Sequence, residues 1–457
     1  MAKHERKVSS REVAIDLLMA VEKEGAYANL LLPKLLEQSR LDSRDVAFAQ
    51  ELAFGTLRWQ LFYDRVVEEC AHRYSDEIDI SALVFLRLGA HQILGMRVPS
   101  HAALSETVEL AKHYLSRGAV GFINGVLRRV SERTRDEWLS IVLNGLDNPH
   151  ERLAVEFSHP IWVVRALEQA LALDNRANDL RDLLFADNIP PLVSLVGLPG
   201  IAKKQDFEDL EIGPASPIGA LLDGGDPNNL AAFREGRIRV QDQGSQLAAL
   251  ALVEAKPIQN SENWLDMCAG PGGKAALLAA EAKLSDAHLV CNEVAPHRAK
   301  LVKQALNLVD SRLEVIVNDG RQLGAKSPQH FDRILLDAPC TGLGALRRRP
   351  ESRWRKQQSD VAELTKLQEE LLTSAWAALK PGGVIAYVTC SPHLAETNAI
   401  VDWAQKKLGA TLLDANAVLE EINPNLHLNK QRKTAQLWPH IHGTDAMFIA
   451  LLEKSLG

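Results

Sequence analysis

The sequence predicts three domains: an all-α head over residues 1–147, a small α/β connector over 148–235, and a C-terminal α/β domain over 236–457 on a mostly parallel, doubly wound sheet. Three observations carry that reading. Apolar residues recur at helical spacing from 10 to 143 without strand-like alternation. Composition shifts to Gly, Pro and Asp between 213 and 230. After Gly236, short apolar runs alternate with amphipathic helices, the pattern of a parallel sheet with helical crossovers. A chain of 457 residues also exceeds what one hydrophobic core organises, since domains run to about 100–200 residues.

In the head, Val13, Leu17, Leu18 and Val21 share one face of a helix over 11–21, and Ser9 or Ser10 stands where its N-cap belongs. The same periodicity predicts helices over 30–36, 45–57, 61–70, 81–94, 105–115 and 119–130. In the connector, helices over 161–173 and 178–186 lead through Ile189-Pro190-Pro191 into a strand at 192–196, and 213–230 reads as loop. In the C-terminal domain, strands are predicted at 264–267, 288–291, 313–317, 334–336 and 384–388, with helices such as 275–282 and 361–379 between them. Ligands of such sheets bind beyond the carboxyl ends of the strands, where the motifs below fall. No internal repeat or low-complexity tract is present.

With 46% hydrophobic and 24% charged residues the composition is that of a globular protein, which excludes disordered and fibrous classes. A net charge of −7, from 52 Lys plus Arg against 59 Asp plus Glu, argues against a histone-like polyanion binder. A local basic run stands out at Arg347, Arg348, Arg349, Arg353, Arg355 and Lys356, with Trp354 interleaved. Such runs are usually solvated faces, but this one directly follows a cysteine motif, which favours phosphate contact. The five cysteines, Cys70, Cys268, Cys291, Cys340 and Cys390, contain no CxxC pair, so no disulfide framework, zinc site or other metal is expected. The start, Met1-Ala2-Lys3-His4-Glu5-Arg6-Lys7, is polar, and no apolar run reaches the ~18 residues of a membrane span, so a reducing cytoplasm is the expected compartment.

Asp266-Met267-Cys268-Ala269-Gly270-Pro271-Gly272-Gly273-Lys274 sits at a strand-to-helix junction, where glycines admit close backbone approach and a helix N-terminus offers unpaired N–H groups. It has neither Walker A nor clean GxGxxG spacing, and alone it is weak evidence, since a minority of such turns are merely structural. Glu293 and Asp319 end the next two strands. An acid at the second strand accepts hydrogen bonds from ribose hydroxyls, and Asp319 is placed to pair with an adenine amino group. Together these features fit a nucleoside without phosphates, S-adenosyl-L-methionine, although both acids are also natural caps for the helices that follow.

Leu336-Asp337-Ala338-Pro339-Cys340-Thr341-Gly342 closes the fourth strand, and Val388-Thr389-Cys390-Ser391-Pro392 the fifth. Asp337 is placed to hold the exocyclic amine of a planar base, and Pro339 stiffens the turn that presents Cys340. A free cysteine at a strand end is more often a small buried residue than a nucleophile. Two at adjacent strand ends, beside an acid and a cofactor loop, point to thiolate addition to a weakly electrophilic ring. From these residues alone, either cysteine could attack.

With Asp337-Ala338-Pro339-Cys340 and Thr389-Cys390-Ser391 in place, the region 237–454 resembles the RNA cytosine-5 methyltransferases that use two cysteines. The head extends the resemblance. Leu86-Arg87-Leu88-Gly89, Pro99-Ser100-His101-Ala102-Ala103-Leu104-Ser105-Glu106-Thr107-Val108 and Phe122-Ile123-Asn124-Gly125-Val126-Leu127-Arg128-Arg129 look like the NusB-like RNA-binding domain of the bacterial small-subunit ribosomal RNA methyltransferase B family. Val240-Gln241-Asp242-Gln243-Gly244-Ser245-Gln246 and Leu437-Trp438-Pro439-His440-Ile441-His442-Gly443-Thr444-Asp445 are similar to that family's first and last catalytic-domain motifs. Departures are Ala275, where many relatives carry Thr or Ser, and Ala446-Met447-Phe448, where many carry Gly-Phe-Phe.

The resemblance implies methyl transfer from S-adenosylmethionine to carbon 5 of a cytosine in small-subunit ribosomal RNA. Cys390 would be the nucleophile at carbon 6, Cys340 would assist release, and Asp337 and Lys274 would complete the catalytic set. DNA cytosine-5 methyltransferases instead attack with the cysteine of a Pro-Cys motif, so the division of labour points to RNA and away from DNA. The cofactor would lie on Cys268, Ala269, Gly270, Pro271, Gly272, Gly273 and Lys274, with Glu293 on the ribose, Asp319 on the adenine, and Arg298 and Asp337 beside it. The head and the basic run would hold RNA by its backbone. A monomer is expected, with no membrane partner. Transfer RNA as substrate, or a non-catalytic ribosome-assembly factor, are the alternatives.

Overall fold

The computed structural model describes residues 8–310 and 313–456, so the polar start over 1–7 lies outside the described residues. The chain divides into two compact units: one runs to Arg165 and takes in Leu346–Arg355, the other comprises Ala166–Ala345 and the chain from Lys356 on. The expected boundary at 147/148 falls inside the first unit, and the expected connector, from Ala166 on, is part of the second.

The first unit is helical: α1 (Ser10–Glu24), α2 (Ala28–Ser39), α3 (Ser43–Arg58), α4 (Gln60–Ala71), α5 (Ile80–Leu94), α6 (Ser100–Ala111), α7 (Arg117–Val130), α8 (Arg135–Val142) and α9 (Pro149–Phe157). Ser9 starts α1 by a capping box, its hydroxyl accepting from the Glu12 N–H while its own N–H donates to the Glu12 carboxylate. Val13, Leu17, Leu18 and Val21 are buried, as their spacing predicts. In α5, Arg87 is sunk in the core and made tolerable there by a fork onto Asp64, at 2.6 and 2.9 Å, and a contact with Glu22 at 2.8 Å.

The basic run corrects one expectation. Within the first unit, Arg353 has no exposed surface, and its Nη1 donates to the main-chain oxygens of Arg58 (3.1 Å) and Ser158 (2.9 Å). Arg347 is also buried, and its carbonyl accepts from the Arg58 guanidinium. Arg355 donates to the Ala26 carbonyl and stacks over the Tyr27 ring. A guanidinium delivered to carbonyls in a core cannot neutralise a phosphate, so Arg353 holds this segment in place, and Arg347, buried in the same segment, is likewise withdrawn from the surface where RNA would be met. Arg349 is exposed, and Arg348 and Lys356 are partly so.

The second unit opens with α10 (Ile161–Leu173), whose first turn, to Arg165, belongs to the first unit, and α11 (Leu180–Ala186). A small antiparallel sheet follows, in the order β2-β3-β1-β4, from β1 (Val193–Gly197), β2 (Glu211–Ile212), β3 (Gly219–Leu222) and, after α12 (Ala231–Arg234), β4 (Ile238–Val240). The stretch expected as loop over 213–230 thus contains β3. Its four residues are too few to show a period amid Gly, Pro and Asp, and long-range pairing with β1 makes the strand.

The main sheet runs through α13 (Gln243–Glu254), β5 (Asn263–Asp266), α14 (Gly273–Leu284), β6 (His288–Asn292), α15 (Pro296–Asn307), β7 (Glu314–Ile316), α16 (Leu323–Lys326) and β8 (Phe331–Asp337). After α17 (Ser352–Arg355), which belongs to the first unit, come α18 (Asp360–Ala378), β9 (Leu379–Thr389), α19 (Asn398–Leu408), β10 (Thr411–Leu413), α20 (Ala415–Ile422), β11 (Ala435–Gln436), α21 (Pro439–His442) and β12 (Phe448–Glu453). Strand order is β10-β12-β9-β8-β5-β6-β7, with β11 beside β12. The five predicted strands are the parallel ones, and the edge formed by β12, β10 and β11 is antiparallel.

Alternation places Trp264, Leu335, Val384, Ala386 and Val388 in one core and Leu265, Ile334, Leu336, Ile385 and Tyr387 in the core on the opposite face. Central strands buried on both faces read as continuous apolar runs, which is why they were legible. Among the described residues no helix is long and apolar enough to cross a membrane.

Candidate active site at the carboxyl ends of the parallel strands

From β5 the chain pairs one way to β6 and β7 and the other way to β8 and β9, so the sheet has its switch point at β5. A crevice opens there, at the carboxyl ends. Asp266 ends β5, Glu293 follows β6, Asp337 ends β8 and Cys390 follows β9.

The loop from β5 to α14 is built for close approach. Gly272 has φ 114°, and a Cβ there would stand 2.8 Å from Ala305 Cβ and 3.1 Å from Val302 Cα. A Cβ on Gly270 would meet Glu293 Oε2 at 2.2 Å. Gly272, at the N-cap of α14, offers no capping side chain, which leaves first-turn N–H groups for a ligand. Asn292, which sequence reasoning missed, ties the strand ends: its Nδ2 donates to Met267 O and its Oδ1 accepts from Asn318 N.

Glu293 is buried, its carboxylate accepting from the N–H groups of Gly270 (3.0 Å) and Ala295 (2.9 Å) with Arg298 at 3.4 Å. Arg298 donates in turn to Gly270 O. Glu293 therefore braces the loop as well as standing beside it. Asp319 realises the capping alternative: its Oδ1 accepts from Arg321 N, and the Arg321 guanidinium, paired with it, holds its carboxyl below the usual range.

Lys274 Nζ donates to Asp337 Oδ2 at 2.8 Å. Burial works against the ammonium, but the charge and hydrogen bond of Asp337, then the charges of Cys390 and Asp266, outweigh it and raise its pKa. Asp266 was not singled out as a site residue by sequence. Neither of its oxygens has a hydrogen-bond partner of good geometry, and burial, then the charge of Asp337, pushes its pKa up to about 8. An orphaned carboxyl beside a glycine cradle is chemistry that receives an ammonium, and so the site fits S-adenosylmethionine, with its amino-acid end. Cys268 is kept a thiol by burial and by the charges of Asp266, Asp337 and Glu293.

Cys340 Sγ and Cys390 Sγ lie 3.5 Å apart. Cys340 is pushed well above the ordinary thiol range by its hydrogen bond with Cys390, then by burial and by the charges of Cys390, Glu396 and Asp337. Its sulfur neighbour and burial thus favour the thiol form of Cys340, and Cys390 stands close enough to Lys274 for the two charges to interact. Glu396, also missed by sequence, is buried behind both sulfurs, and its position shortly after the cysteine motif was the only available signal.

The family description "16S rRNA methyltransferase RsmB/F" matches residues 253–453, and "NusB family" matches 8–132. The chain is 43% identical to Rv1407 of Mycobacterium tuberculosis (strain ATCC 25618 / H37Rv), named as a methyltransferase without a stated substrate, over 97% of this chain and 96% of that one. It is 31% identical to the ribosomal RNA small subunit methyltransferase B of Serratia proteamaculans (strain 568), over 97% and 98% of the two chains. The crystal structure of PH0851 superposes with a TM-score of 0.80 at 21% identity, covering 98% of this chain and 99% of that one, which shows the shared fold. With both signatures and full-length relatives in agreement, the chain belongs to the 16S rRNA methyltransferase RsmB/F family, as an S-adenosylmethionine-dependent methyltransferase with a NusB-family domain ahead of it.

Proposed function

We propose that this protein methylates carbon 5 of a cytosine in small-subunit ribosomal RNA, with Cys390 as the nucleophile and Cys340 as the residue that ends the covalent stage. The observation that carries the reading is the sulfur pair at 3.5 Å beside the Lys274–Asp337 ion pair. The Cys390 thiolate, favoured by the nearby ammonium, adds to carbon 6 of the ring, and the electron pair displaced toward carbon 5 makes that carbon nucleophilic. S-adenosylmethionine, held by the 268–274 loop with Glu293, Arg298 and Asp319 as its expected further contacts, supplies the methyl group. Asp337 accepts from the exocyclic amine and so orients the ring. When a base, water in the crevice being sufficient, takes the carbon 5 proton, the C–H electrons re-form the carbon 5–carbon 6 double bond, the Cys390–carbon bond breaks with its electrons returning to sulfur, and a Cys340 thiol stabilises the departing thiolate.

A cytosine within a helix must be turned out of its stack, at a cost of about a few kcal/mol. Arg348, Arg349 and Lys356 are the proposed phosphate contacts, with the NusB-family domain as the second RNA-holding surface and Arg355 partly committed to Ala26. The setting proposed is a cytoplasmic monomer acting on RNA and not DNA.

The test uses small-subunit ribosomal RNA transcribed in vitro and methyl-labelled cofactor. Cys340→Ala is expected to accumulate a denaturation-resistant protein–RNA adduct, and Cys390→Ala to give neither adduct nor product. Turnover retained by Cys390→Ala would overturn the nucleophile assignment, and bisulfite sequencing of the product would show whether carbon 5 of a cytosine is the site.

A further inference from the structure

Behind the two sulfurs lies a carboxylate that the reaction above does not use. Glu396, in the turn after β9, has no exposed surface. Its Oε1 accepts from Thr341 N at 2.7 Å and from Gln368 Nε2 at 3.3 Å, and its Oε2 from the hydroxyls of Thr341 at 2.5 Å and Ser391 at 2.7 Å. Those two hydroxyl oxygens are themselves 2.9 Å apart. Thr341 is the residue after Cys340, and Ser391 the residue after Cys390. Each cysteine is thus one peptide bond from a ligand of the same carboxylate.

The brace continues behind the carboxylate. Gln368 Nε2 also donates to Pro339 O, the carbonyl just before Cys340, at 2.8 Å. The buried Tyr387 hydroxyl lies 2.7 Å from Glu396 O and 3.2 Å from Gln368 Oε1. Burying an acid is expensive unless its lone pairs are met. Here the donors come from the turn after β8, the turn after β9 and α18, so the carboxylate's cost is recovered only when all three stand in register.

We propose that Glu396 is a positioning residue for the cysteine pair: its carboxylate cross-links the turn after Cys340 to the turn after Cys390 and thereby holds the two sulfurs at 3.5 Å. The consequence for turnover rests on the two-cysteine reaction proposed above, whereas the sulfur geometry does not. Removing the carboxylate releases both turns, so the sulfurs separate while the cofactor loop, on the other side of Asp337, keeps its shape.

The experiment reads the sulfur distance and the chemistry separately in the full-length protein. Diamide takes two electrons and two protons from a pair of thiols as the disulfide forms, and mass spectrometry of proteolytic fragments distinguishes a Cys340–Cys390 bond from bonds to the other cysteines. Glu396→Ala is expected to slow formation of that bond at least tenfold and to lower kcat at least tenfold, with KM for S-adenosylmethionine within twofold of the parent. Glu396→Gln, which keeps the shape and can reverse its hydrogen bonds with the hydroxyls, is expected to recover both to within about threefold. A folded Glu396→Ala protein that forms the disulfide at the parental rate overturns the proposal, even if kcat falls. Should Glu396→Ala not fold, Ser391→Ala must slow disulfide formation at least threefold, and an unchanged rate there overturns it equally. A parent protein that forms the disulfide readily yet never methylates cytosine would instead sink the proposed reaction and leave the positioning role standing.

Discussion

Burial without a hydrogen-bond partner favours the neutral form of a carboxyl, and Asp266 ends β5 in that condition, with its pKa pushed up to about 8 by burial and by Asp337. The ordinary value for an aspartate is 3.8. Between these two limits the unfolded chain has lost the proton and the folded one retains it, so stability falls as pH rises, by up to about 1.4 kcal/mol per pH unit. Asp266→Asn removes the titration. Urea unfolding of the cofactor-free protein should therefore show the variant gaining on the parent from pH 5 to pH 8; an equal gap at both would mean that Asp266 is ionised in the folded state. Sequence could reveal Cys340 and Cys390 because their motifs are local strings. It could not reveal Asp266 or Glu396 as site residues, because what distinguishes them is the company of Asp337, Thr341 and Ser391, which only the folded chain assembles.

Among the elements, the β5–α14 loop depends on one residue's lack of a side chain. At Gly272 both the positive φ of 114° and the approach of α15 exclude a Cβ, so Gly272→Ala must either strain the loop or push α15 away. Its dissociation constant for S-adenosylmethionine should rise at least tenfold by calorimetry, equivalent to about 1.4 kcal/mol. Gly25→Ala is the control: it also sits at positive φ but meets nothing within 4 Å, so it should lose about 1 kcal/mol of stability and no cofactor affinity. Equal affinity losses in both would mean that the loop responds to global destabilisation and not to its own shape. The five parallel strands were legible because burial on both faces writes continuous apolar runs. The antiparallel pairings of β3 with β1 and of β12 with β9 were not, because short or edge strands take their identity from partners far along the chain.

At the scale of the whole molecule, the chain leaves its second unit after Ala345 and contributes Leu346–Arg355 to the first before returning. That excursion divides the basic run by function. Arg353 is fully buried and bonded to the Arg58 and Ser158 carbonyls, whereas Arg349 is exposed. Sequence sees only five arginines and a lysine, because charge is written in composition but burial is not. If the exposed arginine meets a phosphate, Arg349→Ala should flatten the dependence of log affinity on log salt by about 0.7 to 0.9, the contribution of one released counterion, and leave thermal unfolding unchanged. Arg353→Ala should do the reverse, lowering stability by about 3 kcal/mol because two buried carbonyls lose their donor, with no change in the salt slope. Fluorescence anisotropy of labelled RNA across a potassium chloride series, paired with urea melts, separates the two. A flattened slope in Arg353→Ala would mean that the segment reaches RNA as a unit, its buried anchor setting where the exposed charge stands.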